Sequence, residues 1–305
     1  MKRRQFIIKG VGAGLAGGFL TTFGGLSTIG LPANQGEYDL VAVRGGDAVG
    51  MFDRAIAELG GMGKFVKKGQ KVVVKPNIGW DAPPERAANT NPQLISRIVR
   101  SCFEAGASEV VVFDHTCDEW VKCYNTSKIE EFARKGGAKI LPGNTESYYK
   151  EVKIPGGKIL KTTKVHQAFF DADVIINVPV LKHHSSTTVS LAMKNLMGVV
   201  WDRRFYHGND LSQCIADFLY YRKPDLNIID GYRMLTRNGP RGVSNTDAAE
   251  LRALIAGKDI VAVDAAATLM FGEKPENIKH IKIAHEMGLG TMNLDSLSIN
   301  RIKMS

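Results

Sequence analysis

Between Asp173 and Gly198 the chain concentrates side chains able to hold an anion and exchange protons: Asn177, Lys182, His183, His184, Lys194 and Asn195, interleaved with Ser185, Ser186, Thr187, Thr188 and Ser190. Lysines supply charge, histidines titrate near neutral pH, and amide side chains both donate and accept. The spacing predicts a helix over Thr187–Met197. Thr187, Ser190 and Lys194 then fall at i, i+3 and i+7 on a polar face, with Val189, Met193, Leu196 and Val200 packing inward. Lys182, His183 and His184 would stand at its N-terminus, where free N–H groups and the helix dipole favour a carboxylate or phosphate. Lys182 is expected on an exposed crevice edge, so Lys182→Ala should remove anion binding and leave the fold nearly intact. A metal held by His183, His184 and His207 is the competing chemistry, and solvated loop residues are the plain one. Adjacent histidines rarely reach one ion together and the ligand spacing of a metal helix is absent, so no metal ligand is assigned.

Other polar residues recur at the ends of apolar runs. Lys75-Pro76-Asn77 follows three valines, Asp114-His115 follows VVVF, Asn177 follows VII, Asp230-Gly231 follows NII and Asp264 follows IVAV. In open α/β sheets the ligand crevice lies outside the carboxyl ends of the strands. Lys75, Lys182 and Lys194 would hold the anion, and Asn77, Asn177 and Asn195 would orient it. His183 or His184, with Asp114, are the candidates for proton transfer. Asp230 and Asn238 flank a Gly/Pro-rich loop of donors that could close over the ligand. Each such Asp or Asn also has a structural use as a turn or helix cap. The connection Pro76–Asn91 is long for a βα unit and reads as a binding loop or a surface lid. Trp201–Gly208 mixes aromatics with Arg203 and Arg204, which suits a planar ligand or a partner surface. His166, His280 and His285 have no evident partner and read as structural.

These residues need a scaffold. Strands are expected at Tyr38–Val43, Lys71–Lys75, Glu109–Phe113, Ala138–Leu141, Val174–Val178, Asn227–Ile229 and Ile260–Val263. Helices are expected at Asp47–Leu59 with Asp47 near the N-cap, Pro92–Ala105 with Pro92 in the first turn, Lys128–Lys135, Leu211–Tyr221, Ala265–Phe271 and Asn277–Met287. Pro155-Gly156-Gly157 marks a hairpin turn within Gly143–Lys164. The alternation implies an α/β fold: a mainly parallel sheet flanked by helices, with a small antiparallel insertion. Residues 38–305 would form a single α/β domain or two lobes.

The first residues, Met1-Lys2-Arg3-Arg4-Gln5-Phe6-Ile7-Ile8-Lys9, followed by a Gly-rich uncharged run, form a twin-arginine export signal over residues 1–33. Its partner would be the twin-arginine translocation machinery and its destination the periplasm, with the signal cleaved or retained as a tether. Removing Lys2, Arg3, Arg4 and Lys9 takes the formal charge from +9 to +5. That modest excess, with no basic stripe among aromatics, gives no support to nucleic-acid binding. Cys102, Cys117, Cys123 and Cys214 form no C-x-x-C pair, so no iron–sulfur or zinc motif is encoded. Cys117 and Cys123 could form a disulfide or stay as free thiols.

The chain resembles the family called domain of unknown function 362. The resemblance rests on Lys75-Pro76-Asn77, Thr90-Asn91-Pro92, Asn177 to His184, Met193-Lys194-Asn195-Leu196-Met197-Gly198, Ile229-Asp230-Gly231 leading to Asn238-Gly239-Pro240, Ala262 to Ala265, and Phe271-Gly272. It implies an α/β protein without an assigned activity, and members associated with ferredoxin-like modules imply an iron–sulfur redox partner. This chain carries no cluster motif of its own. A distant similarity to the nickel-pincer lactate racemase type is an analogy of fold. The expectation is an exported protein, enzyme or cofactor-dependent, acting on a small anionic ligand, with no cofactor named. The alternatives are a non-catalytic binding or maturation protein and a redox accessory protein.

Overall fold

The buried valine runs predicted as strands assemble into one sheet in the computed structural model, which describes residues 38–305. The segment read as an export signal lies outside the described residues.

In chain order the elements are β1 (Leu40–Arg44), α1 (Ala48–Glu58), β2 (Lys71–Pro76), α2 (Pro92–Glu104), β3 (Glu109–Val112), α3 (Trp120–Thr126), α4 (Ile129–Gly136), β4 (Lys139–Ile140), β5 (Tyr149–Lys153), β6 (Thr162–His166), α5 (Gln167–Asp171) and β7 (Val174–Val178). There follow β8 (Val180–His184), β9 (Thr188–Ser190), α6 (Ala192–Asn195), α7 (Arg203–Gly208), α8 (Leu211–Asp217), β10 (Leu226–Leu235), β11 (Ala248–Gly257), α9 (Ile260–Phe271), α10 (Lys279–Glu286) and β12 (Ile299–Lys303). The main sheet runs β12-β1-β11-β10-β7-β2-β3-β4, and β8 continues beyond β7 along the upper half of β10, with β9 beside it. Pairing is parallel except around β11 and at β9. β5 and β6 form a separate antiparallel ribbon. This is the expected α/β fold with a small antiparallel insertion.

Side chains alternate across each strand, so period 2 sorts them into two cores. Val72, Val74, Val110, Val112, Val174 and Ile176 face α1, α2 and α4, whereas Val73, Val111, Ile175 and Ile229 face α6, α8, α9 and α10. Helix starts follow their caps: Asp47 Oδ1 accepts from Val49 N and Gly50 N, and Asn91 Oδ1 accepts from Gln93 N and Leu94 N ahead of Pro92.

Two expectations fail, each for a physical reason. Ile260–Val263 opens α9 and is not a strand. Its Asp259 Oδ1 accepts from Val261 N and Ala262 N, and the helix is apolar nearly all round because it lies buried. A short apolar run cannot by itself distinguish buried strand from buried helix. The strand in that region is β11, rich in alanine and poor in β-branched residues, which was not foreseen. Thr187–Met197 is not one helix: β8 turns back into β9, and only Ala192–Asn195 is α-helical before a 3₁₀ turn. Of the two states left open for Cys117 and Cys123, the structure has the free thiols.

The order of strands fixes where a ligand can bind. From β2 the chain moves outward through β3 to β4, then returns to place β7 on the opposite side of β2. The topological switch therefore falls between β2 and β7, where Lys75 stands opposite Asn177 and Pro76 opposite Val178.

Candidate functional site

At that switch point the last residues of β2 turn inward instead of toward solvent. Lys75 is fully buried, its Nζ ion-paired at 2.8 Å with Asp114 Oδ1 and donating to Pro76 O and Asn195 Oδ1. Burial outweighs the attraction of Asp114 and lowers the Lys75 pKa below its ordinary value. The second Asp114 oxygen accepts from Ile78 N at 2.7 Å. Asn195, on α6, ties the ends of β2 and β7 together: Nδ2 donates to Asn177 Oδ1 at 2.8 Å, while Oδ1 accepts from Asn77 Nδ2 at 3.0 Å. Asn177 in turn donates to Ala192 O and Asn227 Oδ1. The start of α6 is held by Asp264, whose oxygens accept from Ala192 N and Met193 N. Asp264 is thus a buried helix cap reached from α9, not a strand-end ligand.

Lys182 occupies β8 and is 1% exposed, so the expectation of an exposed edge is overturned. Nor does it stand at a helix N-terminus. Its Nζ donates to Asn77 Oδ1 at 2.8 Å and Ala88 O at 2.5 Å, both neutral acceptors. Desolvation lowers its pKa to about 7, with Lys194 and Lys75 adding repulsion. Lys182→Ala would leave those acceptors unpaired inside the protein, so it should destabilise the apo fold by about 1–3 kcal/mol, read as a lower thermal midpoint. Lys194, on the turn of α6, has one polar contact, Met197 Sδ at 3.5 Å. Desolvation is again the main cause of its pKa falling to about 8, and Arg203 adds to it.

These groups surround a cavity of about 410 Å³. Of the expected residues it is lined by Lys75, Asn77, Asp114, Lys182, His184, Lys194 and Asn195. His183, Asn177, Asp230 and Asn238 do not line it. Asn177 braces Asn195 from behind. His183 Nδ1 accepts from Gly239 N, and Asp230 accepts from Asn91 N and Tyr232 N. Burial raises the Asp230 pKa to about 6. Asn238 bonds Asp247, which organises its loop through Arg237, Val243 and Ser244 as well. His184 Nδ1 accepts from Ser186 N at 3.0 Å, so Nε2 carries the hydrogen. Desolvation and then the neighbouring lysines hold this ring neutral.

The cavity also contains residues not assigned to the anion site from the sequence: His115, Cys117 and the backbone of Gly198, with Arg203 and Arg204, which the sequence offered for a planar ligand or a partner surface. Arg203 donates to His115 O, Thr116 O and Cys117 Sγ, which locks α7 to the loop after β3. His115 stacks on Trp201 with ring centroids 5.0 Å apart. That ring pair uses the aromatic the sequence offered for a planar ligand. The signal for the arginines was their position beside Trp201, yet nothing local places α7 across the crevice. Loop Pro76–Asn91 is a built wall: Asn89 bonds Trp80 and Ala82, and Thr90 bridges Asn77 N to Val178 O. Among the described residues no group of three or more His, Cys, Asp and Glu converges, and no helix is long and apolar enough to cross a membrane.

The chain belongs to the family described as domain of unknown function (DUF362), whose pattern matches residues 72–269. That span contains every cavity residue named above. The chain is also similar to the thylakoid-associated protein sll1697 of Synechocystis sp., at 26% identity over 245 residues, 76% of this chain and 72% of that protein.

Proposed function

We propose that this member of the family binds a small carboxylate- or phosphate-bearing molecule in the switch-point cavity. One observation carries the reading: Lys75, Lys182, Lys194, Arg203 and Arg204 line a single cavity whose one carboxylate, Asp114, is already paired with Lys75. Lys182 is buried, Lys194 and Arg203 are half-buried and Arg204 is exposed, so cations crowd one cavity at differing depth; that is costly without an anion, and the lowered pKa values of Lys182 and Lys194 express the cost. An incoming oxyanion relieves it, accepting from both amines and from the Nε2–H of His184. A neutral amine and a neutral imidazole beside the bound group can also pass protons, which makes proton transfer the chemistry this arrangement favours.

The test is a titration with sulfate, whose own charge is constant across neutral pH. Anion binding raises the pKa of Lys182 and Lys194, so the complex holds more protons than the free protein and affinity falls as pH rises through about 7 to 8. Calorimetry at pH 8 in buffers of different ionisation enthalpy should show proton uptake, which fades below about pH 6, where both amines are already charged. Absence of binding between pH 6 and 9, or an affinity flat across that range, would falsify the reading.

The export signal belongs to the same proposal. Arg3 and Arg4 stand where a twin-arginine signal requires them. Replacing both by Lys should hold the chain in the cytoplasm, whereas the parent reaches the periplasmic side; cell fractionation distinguishes the two. Equal distribution of both proteins would remove the assignment.

A further inference from the structure

The three cavity lysines are not equivalent. Lys75 Nζ meets Asp114 Oδ1, Pro76 O and Asn195 Oδ1, and Lys182 Nζ meets Asn77 Oδ1 and Ala88 O. Lys75 thus has three oxygen acceptors, from β2, the loop after β3 and α6, and Lys182 has two from the loop after β2. Lys194 faces the same cavity, with the Met197 thioether as its polar contact. A sulfur acceptor is weak, so its lone pair and hydrogens are free to act once the proton is lost.

Its position is nevertheless fixed. The neighbouring Asn195 is clamped to Asn77 and Asn177, and the start of α6 is held by Asp264. The backbone carrying Lys194 is therefore fixed at the cavity wall, which limits the positions its amine can reach to those inside the cavity. Arg203 and Arg204 line the same cavity and add positive charge for an anion beside Lys182. The fraction of Lys194 that is neutral adds a nucleophile.

We propose that Lys194 captures the carbonyl carbon of an anionic aldehyde or ketone bound in the cavity, forming a Schiff base. The step is balanced without a co-reactant. The amine lone pair adds to the carbon, and the carbonyl oxygen leaves as water with the two amine hydrogens, giving C=N in place of C=O. The pKa of about 8 for Lys194 leaves a substantial neutral fraction at physiological pH, far above that of an exposed lysine. This inference rests on the anion reading and narrows its ligand class to oxo acids and aldehyde phosphates.

Pyridoxal 5′-phosphate, an anionic aldehyde, serves as the probe on the full chain, with borohydride reduction and peptide mass mapping. Lys194 should be labelled at least about tenfold faster than exposed lysines at pH 7.5, given its larger neutral fraction. Its labelling rate should level off above about pH 8.5 while theirs continues to rise, and sulfate should slow it selectively. If sulfate binds but Lys194 is labelled no faster than exposed lysines, or if Lys182 takes the label instead, the Schiff base is wrong and the anion site stands. If sulfate fails to bind and labelling is unselective, both fall.

Discussion

Asp114→Asn is expected to lower the thermal midpoint by on the order of 10 °C, the largest loss from any isosteric change at the site. The substitution preserves volume and keeps an oxygen for Ile78 N, so it isolates the charge. What it removes is the counterion of Lys75, a fully buried ammonium left with Pro76 O and Asn195 Oδ1. Breaking a buried pair by removing one partner costs about 3–5 kcal/mol, and about 2–4 °C accompanies each kcal/mol at this chain length. The orphaned amine gives up its proton more readily in the fold than in the unfolded chain. A lysine whose folded pKa is depressed makes stability rise with pH between its folded and unfolded values, because the unfolded state binds more protons. The deficit of the variant should accordingly shrink as pH rises from neutral toward the ordinary lysine value. Adding Lys75→Met to Asp114→Asn should restore at least half the loss, since no buried charge then remains. A double variant as unstable as the single one would show that the pair's charge is not what matters.

The valine-rich strands, the caps and the hairpin insertion were legible because they depend on local pattern: valine runs, Asp47 before α1, Asn91-Pro92 before α2, Pro155-Gly156-Gly157 between β5 and β6. Lys75, Asn77, Lys182, Lys194 and Asn195 were legible as a set because strand ends converge at a switch point whatever the details. The orientation of Lys182 was not. A run of Ser and Thr after two histidines carries helix-cap chemistry, and what makes it a β8–β9 turn is pairing of Val180 and Lys182 with the distant β10. The same non-local pairing extends β10 past Asp230 and takes that carboxylate out of the crevice to hold Asn91 N and Tyr232 N. Arg203 and Arg204 reach the cavity only because α7 folds back over the loop after β3, a contact between residues 87 and 88 positions apart that no local spacing encodes.

Gly198→Ala should be nearly as damaging as losing the Lys75–Asp114 pair, although it adds a single methyl group. The Gly198 carbonyl accepts from His115 N at 2.9 Å, so its backbone lies directly over the ion pair. A Cβ there would overlap the Asp114 carboxylate and crowd the Lys75 ammonium. Neither group can yield: Asp114 is held by Ile78 N, and Lys75 by two fixed carbonyl-type oxygens. Overpacking of this kind costs about 1–3 kcal/mol, and here the displaced atoms are a buried charge pair whose geometry carries further energy. The run Met193 to Gly198 is thereby explained as one device. Lys194 faces the cavity, Asn195 joins β2 and β7, and Gly198 permits the chain to close over the pair beneath them. The two mechanisms separate in a double-mutant cycle read by thermal unfolding. If the methyl acts by striking the carboxylate, Gly198→Ala should cost much less in an Asp114→Ala background, with coupling of about 1 kcal/mol or more. Strict additivity would place the damage elsewhere in the turn, and sulfate affinity would then survive in Gly198→Ala wherever the protein remains folded.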